Sequence, residues 1–180
     1  MDRKTYETAR EKALQYFEKA NIALTATEKE NVEVADFGLN DLEHTGLELV
    51  TYVNTSRCCA KELVLFPGQT CPEHRHPTLG GVLGKEETFR CRMGEVFLYV
   101  SGTPCPSHAA RPPKGDEEYY SAFHEVILHP GEQYTLVPDT LHWFQGGPEG
   151  AVVSEFSTSS HDDTDIFTDV RIKRAPVVEG

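Results

Sequence analysis

Three histidines and one glutamate have the types and the spacing of ligands to a metal ion. His74 and His76 lie two positions apart, so in an extended strand both imidazoles point to the same side. Glu87 follows eleven positions after His76, and His142 lies in a later short stretch of strand-like residues. Three imidazoles and a carboxylate can surround one divalent cation and leave coordination positions open for exchangeable ligands. A lone histidine or HxH pair is more often structural, so the predicted metal site depends on all four residues together.

The order of these residues resembles the two sequence motifs of the cupin superfamily. In the first cupin motif, five residues separate a glycine from HxH. A glutamate follows after a short gap, and six further residues separate it from a second glycine. The second cupin motif joins a glycine, a proline and a histidine. The matching positions in this chain are Gly68, His74, His76, Glu87 and Gly94 for the first motif, and Gly131, Pro138 and His142 for the second.

Two departures from the cupin pattern bear on the choice of ligands. The gap between His76 and Glu87 is ten residues, where three or four are usual, and Gly146 replaces the asparagine that commonly closes the second motif. Because the gap contains three glycines, we interpret it as a loop inserted at the mouth of the site. Glu86 is the rival ligand in this gap, but only Glu87 keeps the six-residue step to Gly94.

A narrower resemblance covers about residues 55–170. It rests on Lys61, thirteen residues before the first histidine of HxH, and on the segments 84–92, 152–157 and 162–167. Together these segments are similar to the D-lyxose isomerases, which are cupin sugar isomerases of bacteria. The resemblance implies a homodimeric enzyme that depends on Mn²⁺, with Co²⁺ or another divalent cation as a substitute. It also implies interconversion of D-lyxose and D-xylulose, usually with some activity on D-mannose and D-fructose.

Glu155 and Lys61 are the candidate catalytic residues in this interpretation. Aldose–ketose isomerisation moves a proton between C1 and C2 through a cis-enediol, and a carboxylate such as Glu155 can carry that proton. Lys61 can donate a hydrogen bond to a sugar oxygen that gains negative charge. Each residue shares its side of a predicted strand with apolar residues, so we expect both side chains to face inward. The alternative is an ordinary buried salt bridge between the two.

The acidic segment that begins at Ser159 contains further candidates for sugar contacts. It lacks the glycine and the terminal glutamate of a calcium-binding loop, which excludes that kind of site. Asp162, Asp163 and Asp165 have the pattern of a solvated acidic loop. The resemblance nevertheless raises Asp165 and Arg171 to candidates for binding the distal hydroxyls of the sugar. Other candidate lining residues are Arg92, Tyr120 and Trp143, but Trp143 directly follows His142 and therefore points to the opposite side of a regular strand, which favours packing in the core.

Apart from one N-terminal helix, the elements that must position these residues are strands. Apolar residues recur every three or four positions from residue 2 to about residue 20, which predicts an amphipathic helix. Beyond it the pattern alternates with a period of two and is interrupted by turn residues, among them Gly-Gly-Pro at 146–148. With the resemblance, this all-β pattern predicts a cupin jelly-roll β-sandwich or barrel: residues 1–22 form the packed helix and 23–180 the cupin domain, within a single domain overall. The predicted strands are 47–53, 59–66, 88–101, 122–129, 132–137, 141–145 and 151–157.

Length and composition exclude several classes of protein. A chain of 180 residues with 38% hydrophobic and 26% charged residues is typical of one globular domain, and no apolar run approaches the roughly 18 residues that span a bilayer. The formal charge of −12 argues against nucleic acid and anionic membrane surfaces as partners. The absence of a secretory signal pattern, and five cysteines without a CxxC pair, predict a cytoplasmic protein with reduced thiols.

Two other functions remain open on the sequence alone. An O₂-dependent cupin dioxygenase would use the same three histidines and glutamate around Fe(II). A non-catalytic sugar-sensing cupin would use the metal only structurally. The pair formed by Lys61 and Glu155 favours isomerisation, because proton transfer requires a base in addition to the metal ligands. The predicted partner is therefore a small pentose or hexose substrate.

Overall fold

The chain folds into a helical N-terminal part followed by antiparallel strands. The computed structural model describes residues 1–175 and 178–179. Its two α-helices are α1 (Arg3–Lys19) and α2 (Ala26–Glu30), and no helix in these ranges has the length and apolar character needed to cross a membrane. The strands in the same ranges are β1 (Glu33–Ala35), β2 (Leu47–Asn54), β3 (Cys59–Leu65), β4 (Thr70–Arg75), β5 (Glu87–Val100), β6 (His124–Leu128), β7 (Gln133–Leu136), β8 (His142–Ser157) and β9 (Ile166–Phe167).

Helix α1 begins at a side-chain cap and packs one apolar face on the sheet. The carboxylate of Asp2 accepts a 2.8 Å hydrogen bond from the backbone N–H of Thr5, which has no acceptor within the helix. Ala13 and Phe17 lie on the buried face and pack with Val64 of β3 in one apolar cluster. The predicted amphipathic helix is therefore confirmed, whereas the division of the chain after residue 22 stays a prediction.

Strand β8 is central to the sheet because it pairs along both edges. On one edge residues 142–145 pair with β4 and residues 151–157 pair with β3, while β5 follows the other edge along most of its length. β5 in turn pairs with β6 and β7. The sheet curls around an apolar core that includes Leu63, Leu98 and Val153. The predicted all-β class is confirmed, and all five cysteines are unpaired as expected.

The glycines and the proline at residues 146–148 lie within β8 and do not form the predicted turn. Opposite them, the partner of β5 changes from Ala151 at Gly94 to Gly146 at Val96, so residues 147–150 form an irregular part of β8 opposite Glu95. A Cβ atom on Gly146 would lie 2.6 Å from the backbone oxygen of Phe66, so the close approach of these two backbone segments requires glycine. The turn prediction was wrong because the same residue types also occur at irregular positions within a strand, here where β8 passes from its partner β4 to its partner β3.

Candidate functional site

The three histidines of the predicted metal site converge inside the curled sheet. His74 on β4 and His142 on β8 are directly paired residues of neighbouring strands, and His76 follows just after the end of β4. One ring nitrogen from each imidazole lies within 4.8 Å of the other two, and all three side chains are buried. The structure therefore brings together the three imidazoles that the sequence grouped by their spacing.

Backbone carbonyl groups fix which ring nitrogen of two histidines faces the centre. Nδ1 of His74 lies 2.8 Å from the carbonyl oxygen of Pro72, and Nδ1 of His142 lies 2.9 Å from that of Thr140. Because a carbonyl oxygen only accepts, each Nδ1 carries the proton and each Nε2 presents a lone pair. Burial, together with the nearby His142 and His76, lowers the pKa of His74 well below its usual value, so its imidazole is neutral.

Glu87, the first residue of β5, brings a carboxylate to the same centre. Its Oε1 lies 2.9 Å from Nε2 of His76 and 3.0 Å from Nε2 of His142. The side chain of Glu87 is 1% exposed, whereas the rival Glu86 is exposed and lies outside the centre. Burial alone would raise the pKa of Glu87, but the charges of Lys85 and His76 hold that pKa well below its usual range. The carboxylate is therefore ionised.

This set of donor atoms fits a divalent cation. Nε2 of His142 is buried and forms no hydrogen bond with any residue that the structure describes, although it faces Oε1 of Glu87. A buried nitrogen that faces a carboxylate oxygen in this way is positioned to bind the same cation as that oxygen. Three imidazole nitrogens and one carboxylate oxygen are ligands that divalent transition metals accept, with positions left for exchangeable ligands. The residues present therefore match the metal that the sequence motifs implied.

Asp165 orients the third histidine. Its Oδ1 lies 2.5 Å from Nδ1 of His76, and its side chain is buried. Burial lowers the pKa of His76, but the carboxylates of Glu87 and Asp165 outweigh this effect and raise it to about 9. A metal at Nε2 of His76 would displace the proton there, while Nδ1 keeps its hydrogen bond. Asp165 also lines the cavity, as the expected sugar contact requires, but one of its oxygens is engaged by His76.

Lys61 and Glu155, the two candidate catalytic residues, face each other in the same cavity. They are paired residues of β3 and β8, and Nζ of Lys61 lies 3.9 Å from Oε1 of Glu155. The same Oε1 lies 3.1 Å from Nζ of Lys85, which in turn lies 2.7 Å from Oε2 of Glu87. All four side chains are buried. Opposite charges thus alternate along the cavity wall, which compensates each buried charge.

Asp162 extends the row of alternating charges along the cavity wall, because its carboxylate pairs with Lys61. The interpretation of Asp162 as part of a solvated loop was therefore wrong. Its Oδ2 accepts hydrogen bonds from Nζ of Lys61 at 2.9 Å and from Nη2 of Arg174 at 3.1 Å, and the hydroxyl of Ser160 donates to Oδ1. Burial alone would raise the pKa of Asp162, but Lys61 and Arg174 hold it well below its usual value. The acidic segment folds back against β3 because these two cations attract it, whereas Asp163 remains exposed.

Arg171 lies outside the cavity, contrary to the expected sugar contact. Its guanidinium pairs with the carboxylates of Asp169 and Asp116 and lies over the ring of Tyr119, with its side chain 46% exposed. Arg174 is the arginine of this tail that lines the cavity. Both arginines follow the acidic segment in a stretch without periodicity, so the sequence contained no signal to choose between them.

Lys85 and Arg174 are charged residues of the cavity that the sequence analysis did not identify. A signal for Lys85 was present, because it stands two positions before Glu87 and therefore shares its side in an extended segment. The other lining candidates are not in the cavity: Arg92 is exposed, and Tyr120 packs on Trp143 in a separate cluster. The cavity, counted together with the space at its mouth that is open to solvent, has a volume of about 390 Å³. Its apolar wall consists of Phe37, Leu47, Leu49, Leu63, Cys71, Phe89, Phe144 and Phe167.

Comparisons with known sequences point to one enzyme family. A family model described as D-lyxose isomerase matches residues 107–180. The D-lyxose/D-mannose isomerase of Thermosediminibacter oceani is 66% identical over 169 residues, which cover 94% of this chain and 93% of that protein. The D-lyxose ketol-isomerase of Cohnella laeviribosi is 62% identical over 174 residues, which cover 97% of this chain and 96% of that protein.

Solved structures of L-ribose isomerases share the fold. The enzyme of Cellulomonas parahominis superposes with a TM-score of 0.80 at 19% identity, covering 96% of this chain and 94% of that one. The enzyme of Acinetobacter sp. DL28 in complex with L-ribose gives a TM-score of 0.79 at 18% identity, covering 96% and 94%. At such identities the likeness concerns the fold alone. It confirms the predicted cupin architecture with its N-terminal helix.

Proposed function

Because this chain belongs to the D-lyxose isomerase family, we propose that it interconverts D-lyxose and D-xylulose, and also D-mannose and D-fructose, with bound Mn²⁺. The chain is a sugar ketol-isomerase, an intramolecular oxidoreductase. The name of the Thermosediminibacter oceani enzyme supports activity on both D-lyxose and D-mannose. Family membership leaves no support for the dioxygenase or for the non-catalytic sugar-sensing protein.

The proposed metal ligands are the ring nitrogens of His74, His76 and His142 together with Oε1 of Glu87. Their convergence and the unpartnered Nε2 of His142 support this set. Hydrogen bonds at each Nδ1 hold the imidazoles in orientation, which is how other metal-binding histidines are fixed. When bound, Mn²⁺, or Co²⁺ in its place, supplies Lewis-acid stabilisation of negative charge on the sugar oxygens, an effect of several kcal/mol.

Glu155 is the proposed proton carrier. In the direction from aldose to ketose, its carboxylate takes the proton from C2 and returns it to C1, while one hydroxyl proton passes from O2 to O1. A general base in position contributes roughly 10²- to 10⁴-fold to the rate. The ammonium groups of Lys61 and Lys85, at 3.9 and 3.1 Å from its Oε1, hold the carboxylate in place on the rigid strand β8.

Lys61 is the proposed donor to the reacting sugar oxygen. Asp162 and Ser160 accept hydrogen bonds from its Nζ at 2.9 and 3.1 Å, which fix the ammonium group at the cavity wall. A cation placed there stabilises negative charge as it develops on the enediol, because the site is buried and electrostatic interactions are strong. We also propose that Asp165 orients His76, whereas Arg171 has no part in the site.

The observation that carries this proposal is that Glu155 and Lys61 line one cavity together with His74, His76 and Glu87, and that all these side chains are buried. The test is incubation of the Mn²⁺-loaded protein with D-lyxose, and separately with D-mannose, under anaerobic conditions. We expect D-xylulose and D-fructose to form without any consumption of oxygen. A metal-loaded protein that forms no ketose from either sugar, or that consumes sugar only with oxygen, would contradict the proposal.

We further propose that the enzyme is a cytoplasmic homodimer of single-domain subunits. The homodimer follows from the family resemblance alone, and a small sugar is the only partner that the site requires. The formal charge of −12 supports the absence of nucleic acid among its partners. Sedimentation equilibrium is expected to give twice the mass of the chain, and a value equal to one chain would contradict the dimer.

A further inference from the structure

We propose that Lys85 is a positioning residue that restricts Glu87 to a single metal-binding oxygen and links Glu87 to the proton carrier Glu155. The inference rests on the proposed function, since it assumes the metal centre and the proton carrier named there. It adds a residue that neither the sequence motifs nor the family resemblance had assigned. Three features of the structure support it: the contacts of Lys85, its charge, and the loop that delivers it.

The two oxygens of Glu87 have different partners. Oε1 faces Nε2 of His76 and of His142 at 2.9 and 3.0 Å, whereas Oε2 lies 2.7 Å from Nζ of Lys85. An oxygen held by an ammonium group in a charge-assisted hydrogen bond is not free to bind a second cation. Glu87 therefore offers one oxygen to the metal centre, and the position that its other oxygen would occupy stays open for a sugar hydroxyl.

The charge of Lys85 also joins two carboxylates that would otherwise repel each other. Its Nζ lies 3.1 Å from Oε1 of Glu155 in addition to its contact with Glu87, and all three side chains are buried. A shared cation between two buried carboxylates fixes their separation, because each is drawn toward the same atom.

The loop between His76 and Glu87 has the geometry needed to return Lys85 to the site. A Cβ atom on Gly84 would lie 2.1 Å from the backbone oxygen of His76, so the loop closes directly against the histidine that it follows. The backbone N–H of Gly84 donates to the hydroxyl of Thr78 at 3.3 Å. The ten-residue gap that departs from the usual cupin spacing thus ends by placing a buried cation beside the carboxylate of Glu87.

The test compares Lys85→Gln and Lys85→Arg with wild type and with Lys114→Gln, a control at an exposed lysine. Each protein is loaded with Co²⁺, its visible spectrum is recorded, and kcat and KM are measured with D-lyxose. In Lys85→Gln both oxygens of Glu87 become available, so the coordination number rises and the visible bands weaken. We expect kcat to fall about 10- to 100-fold through misplacement of Glu155, with KM changed less than about threefold.

Lys85→Arg retains the charge that two buried carboxylates require, so we expect it to fold and to recover part of kcat. Wild-type spectra and kcat in both Lys85 variants would overturn the inference. It would also be overturned if Lys85→Gln failed to fold while Lys85→Arg kept the wild-type spectrum and kcat, since Lys85 would then serve stability alone. Failure of the wild-type protein to bind Co²⁺ or to convert D-lyxose would instead contradict the proposed function.

Discussion

Lys61 on β3 and Glu155 on β8 are directly paired across two central strands, with Nζ and Oε1 3.9 Å apart. Their separation is therefore set by the register of the sheet, which is among the most rigid features of a protein. His74 and His76 line the same cavity, and His142, which also comes from β8, is paired with His74 and lies 3.0 Å from Glu87. The register that builds the sheet thus also positions the proposed proton carrier relative to the proposed metal centre.

Glu155→Gln tests the proton carrier. The amide keeps the shape of the side chain but cannot accept a proton from carbon, so kcat is expected to fall about 10²- to 10⁴-fold, or about 3–5 kcal/mol. Binding of Mn²⁺, measured by calorimetry, is expected to persist because Glu155 is not a proposed ligand. Glu86→Gln, at an exposed position next to Glu87, is the matched control. Loss of metal as complete as in His76→Ala would contradict this role.

Removal of the metal tests the proposed centre. A chelator is expected to abolish activity, and Mn²⁺ or Co²⁺ to restore it. Because the ion binds only the folded centre, Mn²⁺ at 100 times its Kd is expected to stabilise the protein by about 2.7 kcal/mol, seen as a higher Tm. His142→Ala should remove this rise in Tm, whereas His129→Ala, at an exposed histidine directly after β6, should retain it. An equal rise in both variants would argue against the proposed ligands.

Glu48 gives a pH dependence of stability that is separate from the site. Burial raises its pKa to about 8, although Gln69 donates a hydrogen bond to it. Between its ordinary value of 4.5 and about 8 the folded protein holds a proton that the unfolded chain has released, so this contribution to stability falls as the pH rises. Each pH unit within this window costs up to about 1.4 kcal/mol.

In the Glu48→Gln variant the side chain at position 48 cannot ionise. The free energy of unfolding of this variant relative to wild type is therefore expected to rise from pH 5 to pH 8. The free energy of unfolding in urea at the two pH values measures this difference, with Glu43→Gln at an exposed position as the control. A difference between Glu48→Gln and wild type that is the same at both pH values would show that Glu48 is ionised in the folded protein throughout this range.

Alanine substitutions at Gly94 and Gly115 distinguish the energetic cost of a steric clash from the cost of a positive φ. Both have a positive φ, +74° and +93°, but a Cβ atom would lie 1.9 Å from the oxygen of Gly150 at Gly94 and would meet nothing within 4 Å at Gly115. Gly115→Ala is expected to cost about 1–2 kcal/mol for its φ alone. Gly94→Ala is expected to lower the free energy of unfolding by about 1–3 kcal/mol more, because the paired strands β5 and β8 must move apart at this point. Equal losses in urea unfolding would contradict the steric argument.

The sequence by itself determined most of the elements and which residues to group in the proposed centre. Period-two alternation predicted β2, β3, β5, β6, β7 and the two ends of β8, but not β1, β4 or β9. The period of three to four predicted α1, and HxH on one side of an extended segment grouped His74 with His76. These are local properties of the chain, since neighbouring residues decide which way a side chain points. Inward placement of Lys61 and Glu155 followed from the same parity.

Only the tertiary structure decided what lies next to what across the cavity. Asp162 has the composition of a solvated loop, but Lys61 and Arg174 attract it to the cavity wall. Arg171, three residues before Arg174, pairs with the carboxylates of Asp169 and Asp116 outside the cavity instead. Lys85 reaches Glu155, seventy residues away in sequence, because the loop after β4 closes on itself. Such contacts depend on where folded segments meet, and the residue types at one position do not encode the charges that distant segments bring to it.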